Sequence, residues 1–230
     1  MLEIIALTLN EAIEIEKLGG TQIELISGFA EGGLTPSYGL IEKVIKNVAF
    51  PVNVMLRPHS RSFHYSQYDL DVMQEDAKIM DEIGVKNAVL GILDEDGLPD
   101  LKALEYVLRD TNLTITFHRA FDESSNLNES LEILKSFNRV KTILTSGGKG
   151  KAIDNLGALR RIIENRGSIE ILLGSGVSVD NMDILYNKLG IFNFHVGTAV
   201  RGNFYNNKIY EEELLETVKK YKEINVISPI

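Results

Sequence analysis

Short runs of apolar and β-branched residues recur along the chain, and each run is followed by a polar loop and a segment with helical spacing. The runs predict eight β-strands, at residues 2–8, 22–27, 52–57, 87–93, 114–118, 141–145, 170–174 and 193–196. Apolar positions three and four apart predict helices at residues 10–18, 37–47, 67–83, 101–109, 127–136, 154–165, 178–188 and 211–223. Because strands that alternate with helices pair in parallel through crossover connections, the pattern predicts an α/β fold.

Eight strand–helix units in 230 residues predict one TIM-type (β/α)8 barrel that forms a single domain over residues 1–230. The alternative is an open, doubly wound sheet. That architecture favours a glycine-rich dinucleotide turn after the first strand, whereas residues 7–10 are Leu-Thr-Leu-Asn. No linker or low-complexity tract divides the chain, which supports the single barrel.

Polar side chains interrupt the predicted strands in one phase only. Successive residues of a barrel strand point alternately to the helices and to the lumen, and here the phase that faces the helices is apolar. Since barrel closure places the first strand beside the eighth, their inward side chains are expected to meet. The inward ionisable residues are Glu3, Glu24, Arg57, His118 and His195, accompanied by Gln22, Asn53, Met55, Thr116 and Asn193.

Buried ionisable groups are costly unless they are paired or used, so this set is either an internal ionic network or an active site. Barrel enzymes place their catalytic groups at the carboxyl ends of the strands, which favours a site. Residues 118–122, His-Arg-Ala-Phe-Asp, add a base, a cation and a carboxylate at the end of the fifth strand. The candidate catalytic residues are therefore Glu3, Glu24, His118, His195 and Asp122.

Glycine-rich loops follow the sixth, seventh and eighth strands, at residues 145–149, 174–177 and 197–202. Barrels often bind phosphate through backbone amides in the last two of these loops. Any single loop of this kind is explained as a tight turn, but three together favour an anion site. The candidate anion-binding residues are Arg57, Arg119, Ser146, Gly147, Gly174, Gly176, Gly197 and Arg201.

Composition narrows the classes of partner. The chain has 24 basic and 33 acidic residues, a net charge of −9, and no basic stripe, so we expect it to bind neither nucleic acid nor an anionic membrane. We expect no signal peptide or membrane span, since no basic segment precedes an apolar block and no long apolar run occurs. The cysteine count of zero excludes thiolate catalysis and fits a reducing compartment.

Several segments together resemble the CutC family of copper-homeostasis proteins. The resemblance implies a TIM-type barrel, a cytoplasmic location, self-association as a homodimer, and a role in copper binding or tolerance. The segments are Leu2-Glu-Ile, Ile23-Glu-Leu, residues 31–37 (Glu-Gly-Gly-Leu-Thr-Pro-Ser), Arg57-Pro58, residues 91–94 (Gly-Ile-Leu-Asp) with Gly97, residues 116–122 (Thr-Phe-His-Arg-Ala-Phe-Asp), residues 144–147 (Leu-Thr-Ser-Gly) and Phe194-His195.

Three hypotheses for function remain open at this point. The first is a copper-binding protein; because Cu(I) prefers sulfur ligands and cysteine is absent, Cu(II) or another divalent ion would be held by Glu24, His118 and His195, with Glu3 beside them. The second is an enzyme that acts on a small anionic metabolite, with or without a phosphate group, by acid–base chemistry. The third is a scaffold whose interior polar cluster is structural. The expected ligand is therefore a metal ion or a small anion.

Overall fold

A computed structural model, which describes residues 1–201 and 208–227, confirms the barrel and shows that the doubly wound alternative is wrong. All eight strands pair in parallel in chain order, and β1 pairs with β8 to close the sheet. The predicted single domain over residues 1–230 includes residues 202–207 and 228–230, which lie outside the described residues. The strands are β1 Leu2–Ala6, β2 Gln22–Leu25, β3 Val52–Met55, β4 Asn87–Leu90, β5 Thr114–Phe117, β6 Val140–Thr145, β7 Glu170–Leu173 and β8 Phe194–Val196.

One helix follows each strand, as predicted. The predicted start of the seventh helix at residue 178 is wrong, because Asn181 Oδ1 accepts from the Ser178 amide in a turn and the helix begins at Met182. The helices are α1 Leu9–Leu18, α2 Tyr38–Asn47, α3 Gln67–Ile83, α4 Leu101–Leu108, α5 Leu127–Lys135, α6 Leu156–Asn165, α7 Met182–Leu189 and α8 Glu211–Ile227. Short 3-10 helices at Phe29–Glu31, Phe121–Glu123, Ala152–Asn155 and Thr198–Val200 were not predicted, since they are too short to show a period.

Side-chain caps fix where several helices begin. Ser66 and Asp69 form a capping box at the start of α3, in which each side chain bonds the other's backbone amide. At α1 the cap is Thr8, whose hydroxyl accepts from the Glu11 amide, so the helix starts before the predicted Asn10. Gly84 ends α3 with φ of 103°, a left-handed conformation that favours glycine.

Two apolar layers surround the polar site. The outward strand residues pack against the helices in one large core, in which Ile4 and Ile23 are fully buried with Ile15 of α1. A second, small cluster of Ile26, Met55 and Val89 fills part of the lumen. The predicted phase of the strands is therefore confirmed. Among the described residues, none of the helices combines the length and apolar content that a membrane span requires.

Candidate metal and ligand site at the barrel mouth

A cavity of about 510 Å³ lies at the carboxyl ends of the strands and is lined by residues from many of them. Four of the predicted inward ionisable side chains line it, namely Glu24, Arg57, His118 and His195. Apolar and aromatic side chains complete much of the wall, among them Ile5, Ile26, Phe29, Met55 and Phe63. A few convergent polar groups in a mainly apolar cleft are typical of a small-ligand site.

Glu3 lies beneath the cavity and is completely buried. The register of β1 and β8 places it opposite His195, and its Oε1 is 2.8 Å from His195 Nδ1. Its Oε2 accepts hydrogen bonds from Gln22 Nε2 at 2.7 Å and from Asn53 Nδ2 at 2.5 Å. The carboxylate is therefore fixed from three directions, and it orients the His195 ring with Nδ1–H toward Glu3 and Nε2 away from it.

Glu24 faces the other edge of the same imidazole. Its Oε2 lies 3.7 Å from His195 Nε2, while its buried Oε1 has no hydrogen-bond partner among the described residues. Burial raises the pKa of Glu24 to about 7, an effect that His195 opposes and Glu3 reinforces. Burial alone would lower the pKa of His195, but the nearby carboxylates Glu24 and Glu3 outweigh it and raise the pKa. The pKa values of both Glu24 and His195 are therefore raised in this buried group.

Glu3, Glu24 and His195 form a group that could hold a metal ion. One nitrogen or oxygen of each lies within 4.8 Å of the others, and it is the single group of this kind in the part of the chain that the structure describes. His118, which the sequence predicted as a metal ligand, is not brought into this group. The third member of the group is Glu3, because strand closure sets Glu3 directly beside His195.

His118 is a neutral hydrogen-bond donor at the edge of the cavity. Its Nδ1 accepts from the Ala120 amide at 3.2 Å, which leaves the ring proton on Nε2. Burial, aided by the positive charge of Arg57, lowers the pKa of His118 to about 3. Nε2 is buried without a partner among the described residues, and the ring packs on Phe63 with centroids 5.0 Å apart. His118 therefore offers one unused N–H.

Arg57 joins the third strand to the loop after the second. Its Nη1 donates to the carbonyl oxygens of Glu31 at 3.0 Å and Gly33 at 3.1 Å, and its guanidinium lies 4.9 Å from the centre of the Phe63 ring. The segment 31–37, singled out in the sequence, thus forms part of the rim. Arg57 brings a positive charge to the cavity wall while its geometry is held by backbone contacts.

Asp122, predicted as catalytic, is not among the residues that line the cavity, and both oxygens of its carboxylate already accept hydrogen bonds. It accepts from the Thr145 hydroxyl, from the amides of Ser146 and Gly148 at 3.0–3.1 Å, and from the Ser146 hydroxyl at 2.8 Å. Arg119 Nε also donates to it at 2.9 Å, and Arg119 then lines the cavity. Asp122 therefore positions Arg119 and ties the loop after β6 to the loop after β5.

The loop after β6 offers few free amides to an anion. Two predicted anion-binding residues, Ser146 and Gly147, donate their backbone N–H groups to Asp122 and to Thr145 Oγ1 respectively. Neither residue lines the cavity. The amide of Gly174 is likewise used, since it donates to the Thr145 carbonyl at 3.0 Å. Among the predicted loop glycines, Gly176 and Gly197 do line the cavity.

Arg201, also predicted to bind an anion, forms a buried ion pair instead. Its two terminal nitrogens each lie 3.1 Å from a carboxylate oxygen of Glu11, and Nη2 donates to the Ile5 carbonyl at 2.6 Å. The guanidinium also stacks over Phe29, 5.1 Å from the ring centre. Arg201 thus connects the end of β8 to the first helix rather than lining the cavity.

The roles of several site residues were not predicted from the sequence. Gln22 and Asn53 were predicted to face the lumen, but the hydrogen bonds by which they hold Glu3 were not. From the sequence, Glu11 is recognisable only as an acidic residue in the first turn of a helix, and nothing indicates its ion pair. Phe29, in a short 3-10 helix, and Phe63, in a loop, lie where no periodic pattern indicates contact with the site. Their contacts depend on how distant loops meet.

Comparison with known proteins identifies the family. A model of the CutC family matches residues 1–200. A CutC family protein of Enterobacter sp. (strain 638) is 34% identical over 188 residues, covering 81% of this chain and 76% of the relative. One of Vibrio parahaemolyticus is 36% identical over 182 residues, covering 77% and 73%.

Solved structures agree with this assignment. A Streptococcus agalactiae protein named CutC, for copper homeostasis, superposes with a TM-score of 0.80 at 30% identity and covers 85% of this chain and 97% of its own. Phosphoribosylanthranilate isomerase of Thermotoga maritima superposes with a TM-score of 0.64 at 10% identity over 96% of this chain and 98% of its own, which reflects the barrel fold alone. On the match over residues 1–200 and the identity of these relatives, the chain belongs to the CutC family.

Proposed function

We propose that this protein acts in copper homeostasis in the cytoplasm and binds one divalent copper ion through Glu24 and His195 at the barrel mouth. The observation that carries the proposal is the buried group of Glu3, Glu24 and His195, with ligand atoms within 4.8 Å of one another. The name of the Streptococcus agalactiae relative supports copper as the ion. The cavity above Glu24 and His195 gives an ion access to the group.

The donor atoms fit a divalent ion better than Cu(I). Glu24 and His195 supply carboxylate oxygen and imidazole nitrogen, which suit Cu(II) and Zn(II), and sites of this type bind Cu(II) most tightly among first-row divalent ions. Cu(I) prefers thiolate and thioether sulfur. The sequence contains no cysteine, and Met55 is the single methionine on the described cavity wall. The chemistry therefore favours Cu(II).

Glu3 is expected to act through His195 rather than as a primary ligand. A histidine that binds a metal commonly donates its other ring N–H to a carboxylate, which fixes the ring and increases its basicity. Glu3 Oε1, 2.8 Å from His195 Nδ1, is placed for this, and its second oxygen is already occupied by Gln22 and Asn53. Glu24 Oε1 is buried and has no hydrogen-bond partner among the described residues, so a bound cation would stabilise it.

Isothermal titration calorimetry tests the proposal. The full chain is expected to bind one Cu(II) per chain, with Zn(II) competing for the same site more weakly. Affinity should increase from about pH 6 to about pH 8, because the ion must displace protons from Glu24, with its pKa of about 7, and from His195, with its raised pKa. Absence of saturable binding by either ion would refute the proposal.

The variant Glu3→Gln probes the carboxylate behind the histidine in the same titration. It is expected to weaken Cu(II) binding by about 10- to 100-fold, the usual effect of removing such a partner. Glu75→Gln, on the exposed face of α3, is the control and should leave the affinity unchanged. Equal affinity in Glu3→Gln and the wild type would show that His195 does not bind the ion through Nε2 with Glu3 behind it.

A further inference from the structure

The loops after β7 and β8 bring a set of unpaired backbone N–H groups to one side of the cavity. Ser175, Gly176, Val177, Gly197 and Thr198 all line it. Within the described chain, none of their amides donates a hydrogen bond to another residue, in contrast to the amides of the loop after β6. Unpaired amides at a cavity wall have a positive partial charge and favour an anion.

A second observation indicates that a ligand is expected here. His118 lines the same cavity, is 4% exposed, and its Nε2 has no partner among the described residues. A buried donor of this kind is costly unless something accepts its hydrogen bond. Because Nδ1 is occupied by the Ala120 amide, a bound molecule that accepts from Nε2–H would remove this cost.

We propose that the cavity binds a small phosphate monoester, with the phosphate on the amides of Ser175, Gly176, Val177, Gly197 and Thr198. A carbonyl or hydroxyl oxygen of the same molecule accepts a hydrogen bond from His118 Nε2. This binding goes beyond the copper site and does not depend on it. The cavity volume of about 510 Å³ lies within the usual range for small-metabolite sites.

Charged side chains of both signs reach the cavity wall from elements other than the loops after β7 and β8. Three carboxylates line the cavity, namely Glu24, Glu31 and Glu123, and none of them comes from the loops after β7 or β8. Arg57 and Arg119 supply positive charge on the wall. The carbon chain of Lys151 packs over Gly176, 2.9 Å from where a Cβ would lie, so a larger residue there would displace a lysine from the edge of the amide cluster.

Nuclear magnetic resonance on the metal-free full chain tests this inference, with glycerol 3-phosphate as the probe and a chelator present. Titration is expected to shift the amide signals of Ser175, Gly176, Val177, Gly197 and Thr198 in a saturable way. The amides of Gly147 and Gly148 are internal controls, since they already donate to Thr145 and Asp122. Glycerol, which lacks the phosphate, should cause no such shifts.

A matched pair of variants separates charge from shape. Thr198 is exposed at the cavity edge, so Thr198→Asp places a negative charge beside the amides without disturbing the core. It is expected to weaken glycerol 3-phosphate binding by at least about tenfold, or ~1.4 kcal/mol. Thr198→Asn introduces a side chain of the same size as aspartate without its charge, and it should change the affinity by less than about twofold. Equal affinities of the two variants, or shifts centred on other residues, would overturn the inference.

The outcome is separable from that of the copper proposal. His195→Ala is expected to lose Cu(II) binding and to keep the phosphate-induced shifts, because His195 contributes no amide to the cluster. Saturable phosphate shifts without Cu(II) binding would leave this inference in place and refute the copper site. Cu(II) binding without phosphate-induced shifts would refute this inference and leave the copper site in place.

Discussion

Replacing His195 with alanine is expected to lower the affinity for Cu(II) by about 100-fold or more, equivalent to ~2.7 kcal/mol of binding free energy. His195 supplies the one imidazole nitrogen of the proposed site, and Glu24 Oε2, 3.7 Å from it, is the nearest carboxylate oxygen facing that nitrogen. A single carboxylate holds a divalent copper ion weakly in water. Calorimetric titration at neutral pH measures the change.

The control for this prediction is His64→Ala. His64 lies exposed in the long loop between β3 and α3, outside the cavity lining, so its loss should leave the affinity within about twofold of the wild type. His195→Gln adds a second comparison, because it keeps a side-chain donor for Glu3 Oε1 while removing the imidazole. Unchanged Cu(II) affinity in His195→Ala would place the ion elsewhere.

Asp122→Ala is expected to destabilise the protein by about 3–5 kcal/mol, because two backbone amides and two hydroxyls would each lose a hydrogen bond to a charged acceptor. The Asp122 carboxylate is buried and accepts from two backbone amides, two hydroxyls and Arg119. Its removal leaves the amide of buried Ser146, and that of half-buried Gly148, without a protein acceptor. Urea denaturation followed by circular dichroism measures the free energy of unfolding.

Two further variants separate the loss of the Asp122 hydrogen bonds from the general effect of removing a carboxylate. Asp122→Asn retains one acceptor oxygen and the side-chain volume, so it should cost less than Asp122→Ala. Glu123→Ala alters the neighbouring carboxylate, which is half-exposed and 3.9 Å from an exposed lysine, and should change stability by less than about 0.5 kcal/mol. A cost below about 1 kcal/mol for Asp122→Ala would contradict the role assigned to it in joining the two loops.

The barrel and the meeting of Glu3 with His195 could be predicted because both follow from strand phase and closure. Alternation sets which side chains enter the lumen, and closure of eight parallel strands places the first beside the last. The register of β1 and β8 then puts Glu3 directly opposite His195. Strand phase also predicted that Glu24, Arg57 and His118 face the lumen, and all three line the cavity.

The hydrogen bonds between loops could not be predicted, because loop contacts carry no period. Asp122 and His118 both lie in the segment 118–122, yet Asp122 bonds to the loop after β6 and His118 lines the cavity. Arg201 likewise lies in a glycine-rich loop and pairs with Glu11 of the first helix. Which polar side chain binds a ligand and which binds another loop depends on tertiary packing.

Electron paramagnetic resonance of the Cu(II)-loaded chain shows where copper binds, since the spectrum reports which atoms bind the ion. One nitrogen ligand together with oxygen ligands is expected, as Glu24 and His195 would provide. The nitrogen coupling should disappear in His195→Ala and persist in His64→Ala. A spectrum of aqueous Cu(II), or nitrogen coupling that survives in His195→Ala, would contradict the claim that copper binds at this group.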